Sequence, residues 1–286
     1  MRAFWKYEAL GNDYLVLDPA GWGDLPAAAG IRRLCDRHFG LGSDGILWGP
    51  LPAPAGALCG LRIFNPDGSE AEKSGNGLRI FARHLFDLGR VAAEAPFAVA
   101  TAGGVAACCV LEGGRRVRVG MGRARFGSGE IPVTGPAREV LNETTLAGGE
   151  PVLFCGVTVG NPHCVVLNHP ATEAVALRLG PALETHPLFP RRTNVQFLEV
   201  LGPGAIRIEI WERGAGYTLA SGSSASAAAA AAHRLGLCGQ TVAVHMPGGV
   251  LDVKIGADFE VTQAGPVGAV SSGQVAADLL AAAGAV

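Results

Sequence analysis

The sequence repeats itself in disguise, and that duplication limits its architecture more than any other feature. The turn Gly11-Asn12, followed by the strand-like Leu15-Val16-Leu17-Asp18, recurs as Gly160-Asn161 followed by Val165-Val166-Leu167-Asn168. Leu61-Arg62-Ile63-Phe64 recurs as Ile206-Arg207-Ile208-Glu209, and Ser74-Gly75-Asn76-Gly77 as Ser221-Gly222-Ser223-Ser224. Each pair lies close to half of the 286-residue chain apart, well beyond the roughly 20 to 50 residues of a solenoid repeat. One unit of strands ending in a buried helix is therefore made twice, and the two copies are expected to face each other across a cleft.

Alternation of apolar and polar positions predicts strands over 97–101, 105–111, 117–121, 152–159 and 242–246, separated by Gly/Pro turns. Connections this short favour antiparallel pairing. Helices are predicted over 27–38, 75–88, 171–183 and 222–235. A boundary is expected in the turn-rich segment 122–135. The N-terminal lobe then spans 1–125, rejoined by the C-terminal tail 265–286, and the C-terminal lobe spans 126–264.

With 49% hydrophobic and 17% charged residues and 42 glycines, the composition is that of a packed, turn-rich globule. A net charge of −2 leaves no basic field, and no Lys/Arg stripe interleaves with aromatics, so no nucleic acid is expected as partner. A small neutral or zwitterionic ligand fits better. The start, Met1-Arg2-Ala3-Phe4-Trp5-Lys6-Tyr7-Glu8, is charged where a signal peptide would be apolar. The Ala-rich run 225–232 ends at His233-Arg234, short of the roughly 18 apolar residues of a membrane span. A cytoplasmic protein with no membrane partner is expected. Seven cysteines, odd in number and without C-x-x-C spacing, suggest neither a disulfide framework nor a metal site.

Ser74 and Ser221 each open a helix on small-residue backbone. The first N–H groups of a helix lack intrahelical acceptors and suit a carboxylate. Either serine alone reads most simply as an N-cap. Their recurrence in both copies points instead to a site that grips one α-carboxylate. Trp211-Glu212-Arg213-Gly214-Ala215-Gly216 drops a charged pair into a glycine-rich loop. Arg213 can clamp a carboxylate there and Glu212 can accept from an ammonium group; a plain surface ion pair is the competing reading. Asn65, Asn161 and Asn194 each stand in a turn context, where Asn commonly bonds its own backbone.

Leu10 through Tyr14, Cys35 through Gly45, Arg62 through Glu70, Gly75-Asn76-Gly77, Gly160 through His163, His186 through Pro190 and on to Asn194, Trp211 through Gly216, and Pro247-Gly248-Gly249 follow in order. In that order they closely resemble the diaminopimelate epimerase family, over nearly the whole chain. The resemblance implies an α+β fold of two pseudo-symmetric lobes, each a curved, mainly antiparallel sheet around a central helix. It implies an isomerase of lysine biosynthesis that needs no cofactor and moves a proton at the α-carbon of a small amino acid. The partners expected are that substrate and, beyond it, only a second copy of the chain in a homodimer. In the family two cysteines flank the α-carbon, one a thiolate that removes the proton and the other a thiol that delivers one. Asn12, Asn65, Asn161 and Asn194 match the asparagines of the family's distal pocket, and Glu212 and Arg213 its charged pair. Gly75, Asn76, Gly222 and Ser223 fall at the helix starts that hold the carboxylate.

The chain departs from the family at the centre. Ser74 and Ser221 stand at the two cysteine positions, and Tyr217, Ser224 and Ser226 where the family usually has Glu, Gly and Cys. A thiol titrates near about 8.5 and an alcohol several units higher, at about 1.4 kcal/mol per unit, so cysteine-style chemistry should be slow or absent. The resemblance places His163 beside Ser74 and Glu212 beside Ser221, both ordinary general acid/base side chains. The expected catalytic set is therefore Ser74, Ser221, His163 and Glu212, although His163 also reads as a satisfied structural histidine. Three activities stay open: epimerisation through serine relays, ligand binding without turnover, and a different proton shift, as isomerase or lyase, run by His163 or Glu212.

Overall fold

A computed structural model of the chain describes residues 2–284; Met1, and residues 285 and 286 of the expected tail, lie outside the described residues. The chain divides into two compact units, Met1–Val119 with Gly265–Val286, and Gly120–Ala264. The first unit contains β1 (Ala3–Ala9), β2 (Asn12–Leu17), α1 (Pro19–Trp22), α2 (Ala28–Cys35), β3 (Ile46–Leu51), β4 (Cys59–Phe64), β5 (Glu70–Ala71), α3 (Gly75–Asp87), β6 (Pro96–Thr101) and β7 (Gly104–Leu111). The division falls inside β8 (Arg116–Arg123). The second unit contains β9 (Glu143–Ala147), β10 (Glu150–Thr158), β11 (Pro162–Val166), α4 (Glu173–Glu184), β12 (Asn194–Gly202), β13 (Ala205–Glu212), β14 (Gly216–Thr218), α5 (Gly222–Arg234), β15 (Thr241–Met246), β16 (Gly249–Ile255) and β17 (Glu260–Pro266). The chain then returns to the first unit with β18 (Gly268–Gln274) and α6 (Ala277–Ala282).

Strand pairing makes the duplication explicit. The first unit runs β18-β1-β2-β3-β4-β6-β7-β8. The second runs β9-β10-β11-β12-β13-β15-β16-β17. In both, successive pairings are antiparallel, antiparallel, parallel, antiparallel, parallel, antiparallel and antiparallel. Both parallel steps are crossed by helices, α2 and α3 in the first unit and α4 and α5 in the second, because parallel neighbours cannot be joined by a tight hairpin. The short strands β5 and β14 close matching hairpins on β4 and β13.

The central helices α3 and α5 are enclosed by their own strands. Ala225 and Ala227 through Ala232 have no exposed surface, and a helix apolar on every side must be covered on every side. Strands β10, β11, β12, β13, β15 and β16 all touch α5, and alanine lets them come close. Helix α3 fills its unit with the bulkier Leu78, Ile80, Phe81 and Leu85. Both helices open the same way: Ser74 (φ −135°, ψ 122°) and Ser221 (φ −143°, ψ 124°) are extended N-caps accepting from the amides of Gly77 and Ser224.

The helix expected over 27–38 stops at Cys35, since Asp36 turns extended (φ −60°, ψ 128°) and its carboxylate takes the amides of His38 and Phe39. The short helices α1 and α6 were not legible in the periodicity. All seven cysteines are free, six of them buried. Among the described residues no helix is long and apolar enough to cross a membrane.

Candidate active site

In the first unit the start of α3 is tied to the β1–β2 turn. The half-buried Ser74 accepts at Oγ from Gly77 N (3.0 Å) and from the Tyr14 hydroxyl (3.4 Å). Gly45 leaves room for Tyr14, because a Cβ there would lie 2.7 Å from ring atom Cε1. Asn76 Nδ2 donates to Asn12 Oδ1 (3.1 Å), and its own Oδ1 accepts from the fully buried Arg79 (2.7 Å). Asn12 Nδ2 in turn donates to Asp44 Oδ2 (3.0 Å). Asn12 and Asn76 thus meet behind the first turn of α3, next in the chain to Gly75. Asn65 keeps to its own loop between β4 and β5, where its backbone closes a turn and Nδ2 donates to Ser69 Oγ (3.0 Å). The turn-forming role expected of it is correct locally.

In the second unit the corresponding elements carry a longer polar chain. The Ser221 hydroxyl lies beside the buried Glu212 carboxylate and works against the effect of its burial. Its Oγ also lies 3.4 Å from Ser224 N and 3.4 Å from Ser223 Oγ. Ser223 Oγ accepts from Asn161 Nδ2 (3.4 Å), and Asn161 Oδ1 lies 2.9 Å from His163 Nε2. At Gly222 a Cβ would fall 2.6 Å from Nε2 of the buried Gln263, so a larger residue would have to displace that amide. Glu212 therefore occupies the β13–β14 hairpin where the first unit has Asn65, and Asn161 the β10–β11 turn where it has Asn12.

Burial raises the Glu212 carboxyl above its ordinary range, and the Ser221 hydrogen bond pulls it partly back. His163 has no exposed surface. Burial lowers it to about 3; a hydrogen bond with Gln196 opposes this and the field of Arg213 adds to it. At neutral pH its imidazole is uncharged.

Asn194 is not a turn former. It is the first residue of β12, paired in parallel register with His163, and it is buried because both ends of its amide are used. Nδ2 donates to Pro162 O (2.9 Å) and Oδ1 accepts from Arg213 N (3.0 Å), stapling β11 to the charged loop. Glu212 and Arg213 form no ion pair with each other among the described residues; Arg213 reaches instead to Arg191 O (3.2 Å). Buried Glu184, which the sequence did not single out, accepts from Trp211 Nε1 (2.7 Å) and Gly214 N (2.7 Å), on either side of the pair, and from Arg192. Gln196 was also missed; it is fully buried and donates to Ser224 Oγ (3.0 Å). Tyr217 lies outside this chain of contacts, with its hydroxyl on Glu209 Oε2 (2.7 Å). Nothing in the structure explains the serine at 226.

Each unit therefore presents a capped helix start, whose first-turn amides suit an anion, beside a side-chain network. The second unit adds a buried carboxylate beside a hydroxyl. The diaminopimelate epimerase family model matches residues 4–127 and 155–270. Diaminopimelate epimerase 2 of Nostoc sp. is 51% identical over 278 residues, covering 97% of each chain. The diaminopimelate epimerase of Pelotomaculum thermopropionicum is 41% identical over 277 residues, covering 95% of this chain and 98% of that one. Among solved structures, a probable proline racemase from Agrobacterium radiobacter shares the fold with a TM-score of 0.72 at 18% identity, over 97% of this chain and 94% of its own. A hydroxyproline epimerase from Agrobacterium vitis does so with a TM-score of 0.72 at 17% identity, over 97% and 93%. With relatives this similar along almost its full length, the chain belongs to the diaminopimelate epimerase family.

Proposed function

We propose that the chain is an isomerase that needs no pyridoxal cofactor and removes and returns the α-proton of diaminopimelate or a similar amino acid with a second polar end. The observation that carries this reading is the buried Glu212 carboxylate beside the Ser221 hydroxyl at the start of α5, in a member of an epimerase family. Burial makes Glu212 a stronger base than a solvated carboxylate, so it can take the hydroxyl proton as Ser221 Oγ takes the α-proton. Ser74 Oγ already accepts two hydrogen bonds, so its own proton is what it has to give. For the opposite epimer the same transfers run in reverse: the alkoxide left on Ser74 takes the α-proton while Ser221 gives one to the other face and recovers a proton from Glu212. The helix-start amides around Gly75, Asn76, Gly222 and Ser223 would stabilise the charge that builds on the α-carboxylate. Asn12, Asn65, Asn161, Asn194 and Arg213 are assigned to the distal end of the substrate. His163, buried and bonded to Asn161, acts through that asparagine.

Binding without turnover is the second reading, and the alcohols at both helix starts favour it, because neither is readily ionised. Incubation of the protein with LL- and meso-diaminopimelate in deuterated water separates the two. Loss of the α-proton signal by NMR, with interconversion of the isomers, is the expected result. Calorimetric binding without exchange would establish the second reading, and the absence of both would remove diaminopimelate as the ligand.

A further inference from the structure

Glu184 is the last residue of α4, and both oxygens of its carboxylate are bonded to the segment that carries Glu212 and Arg213. Oε2 accepts from Trp211 Nε1 (2.7 Å) and Oε1 from Gly214 N (2.7 Å), so the two anchors bracket the charged pair with no other residue between them. Arg192 also donates to Oε1. Its side chain is 51% exposed against 6% for that of Glu184, and an ion pair so open to water contributes little. The two N–H donors of the hairpin therefore decide the contact. The segment that follows Glu184 supplies the other anchors of the same loop: Arg191 O accepts from Arg213 Nη1 (3.2 Å) and Asn194 Oδ1 from Arg213 N (3.0 Å). In the matching hairpin of the first unit the turn is held by its own Asp67, which accepts from the amide (2.8 Å) and the hydroxyl (2.6 Å) of Ser69. The hairpin with the charged pair instead takes a buried acid from a neighbouring helix.

We propose that Glu184 is a positioning residue that grips the β13–β14 hairpin at Trp211 and Gly214, and so sets where Glu212 and Arg213 stand for the reaction. Its value for function rests on the isomerase reading above. The three groups that meet the carboxylate are all N–H donors, and a carboxylate is the side chain that only accepts. An amide of the same shape must turn its NH2 to one side. With its oxygen kept on Gly214 and Arg192, the NH2 would face the indole N–H of Trp211. Turned end for end, the NH2 would face the other two donors. In either arrangement a donor meets a donor in a buried place, and the hairpin has to move to separate them.

Proton–nitrogen spectra of the full-length protein follow the contact directly, with the indole signal of Trp211 assigned by its loss in Trp211→Phe. That N–H should be protected from solvent exchange in the parent and exchange faster in Glu184→Gln. The α-hydrogen exchange of meso-diaminopimelate should fall about tenfold in Glu184→Gln, the scale of one unmet buried hydrogen bond. Both kcat and KM should change, because both members of the charged pair are displaced; a smaller folded fraction would lower the rate and leave KM alone. Trp211→Phe removes the donor that an amide cannot answer. Made on top of Trp211→Phe, Glu184→Gln should therefore lower exchange by no more than about threefold, the share of the exposed Arg192 pair. If Glu184→Gln alone does not fold, the indole signal of the parent and the double variant decide. An unprotected Trp211 indole in the parent would overturn the proposal. So would a loss from Glu184→Gln that is the same with and without Trp211→Phe, or one that leaves KM unaltered. The expected indole behaviour with no exchange in any of the proteins, parent included, would support the placement of Glu184 and overturn the isomerase.

Discussion

The proposed isomerisation needs Ser221 to pass its hydroxyl proton to Glu212, so the burial of that carboxylate bears directly on it. Glu212→Gln keeps the shape and the hydrogen bond but removes the basic charge. Exchange of the α-proton should then fall by about 10² to 10⁴-fold, with binding of diaminopimelate by calorimetry largely kept. Unchanged exchange would remove Glu212 from the reaction. Restoring sulfur by Ser74→Cys together with Ser221→Cys should raise exchange strongly, because a thiol with a reference pKa near about 8.5 ionises several units below an alcohol. A decrease would mean that these two positions do not carry the proton. At this scale the sequence put its candidate residues at helix starts, turns and a hairpin, but said less about what each touches. Asn65 does bond within its own turn, whereas Asn194 is a strand residue bridging β11 to Arg213. Glu184 and Gln196 carry no motif of their own, since Trp211 and Gly214 for the one and Ser224 for the other lie far along the chain.

Elements hold the site through a few close approaches. Helix α4 packs on β13 at Gly180, where a Cβ would fall 2.5 Å from Cγ of Trp211. Trp211 is also fixed by Glu184, and it immediately precedes Glu212. Gly180→Ala should therefore overpack the contact, cost about 1 to 3 kcal/mol, and displace the β13–β14 hairpin. A lowered urea midpoint with reduced exchange is the expected pair of results. A midpoint and exchange rate like the parent's would show that the helix has room to move. The helices over 75–88 and 222–235 were visible in the sequence because an N-cap serine and a continuous buried run are local signals. The end of α2 was misplaced by three residues, as Asp36 competes for backbone amides that the periodicity assigned to the helix.

For the molecule as a whole, buried histidines set the response to acid. His84 in the first unit is lowered to about 4, chiefly by burial, and His163 in the second to about 3. Unfolded, each titrates near 6.5, so below that value the unfolded chain binds protons that the folded chain excludes. Stability should be complete above about pH 6.5 and decline as the pH falls towards 4, by up to about 1.4 kcal/mol per pH unit for each histidine. Asp13 acts in a lower window. Burial would raise it, but hydrogen bonds from Arg37 and Lys6 hold it near 2, so its contribution is present above about pH 4 and lost on the way down to 2. Urea midpoints between pH 7 and pH 5 test the histidine effect. A flat profile would contradict it, and His84→Phe should remove part of the slope.

The sequence by itself determined the duplication, the two capped helix starts, the strand-rich units and the family, because each is written in neighbouring residues or in one order of motifs. Only the tertiary structure decided that β18 returns to pair with β1, that Asn194 bonds Pro162 and Arg213 at once, that His163 meets Asn161, and that Gln196 reaches Ser224. Those contacts join residues far apart in the chain, and a buried hydrogen bond is specified by where both partners are brought, which no local pattern of side chains records.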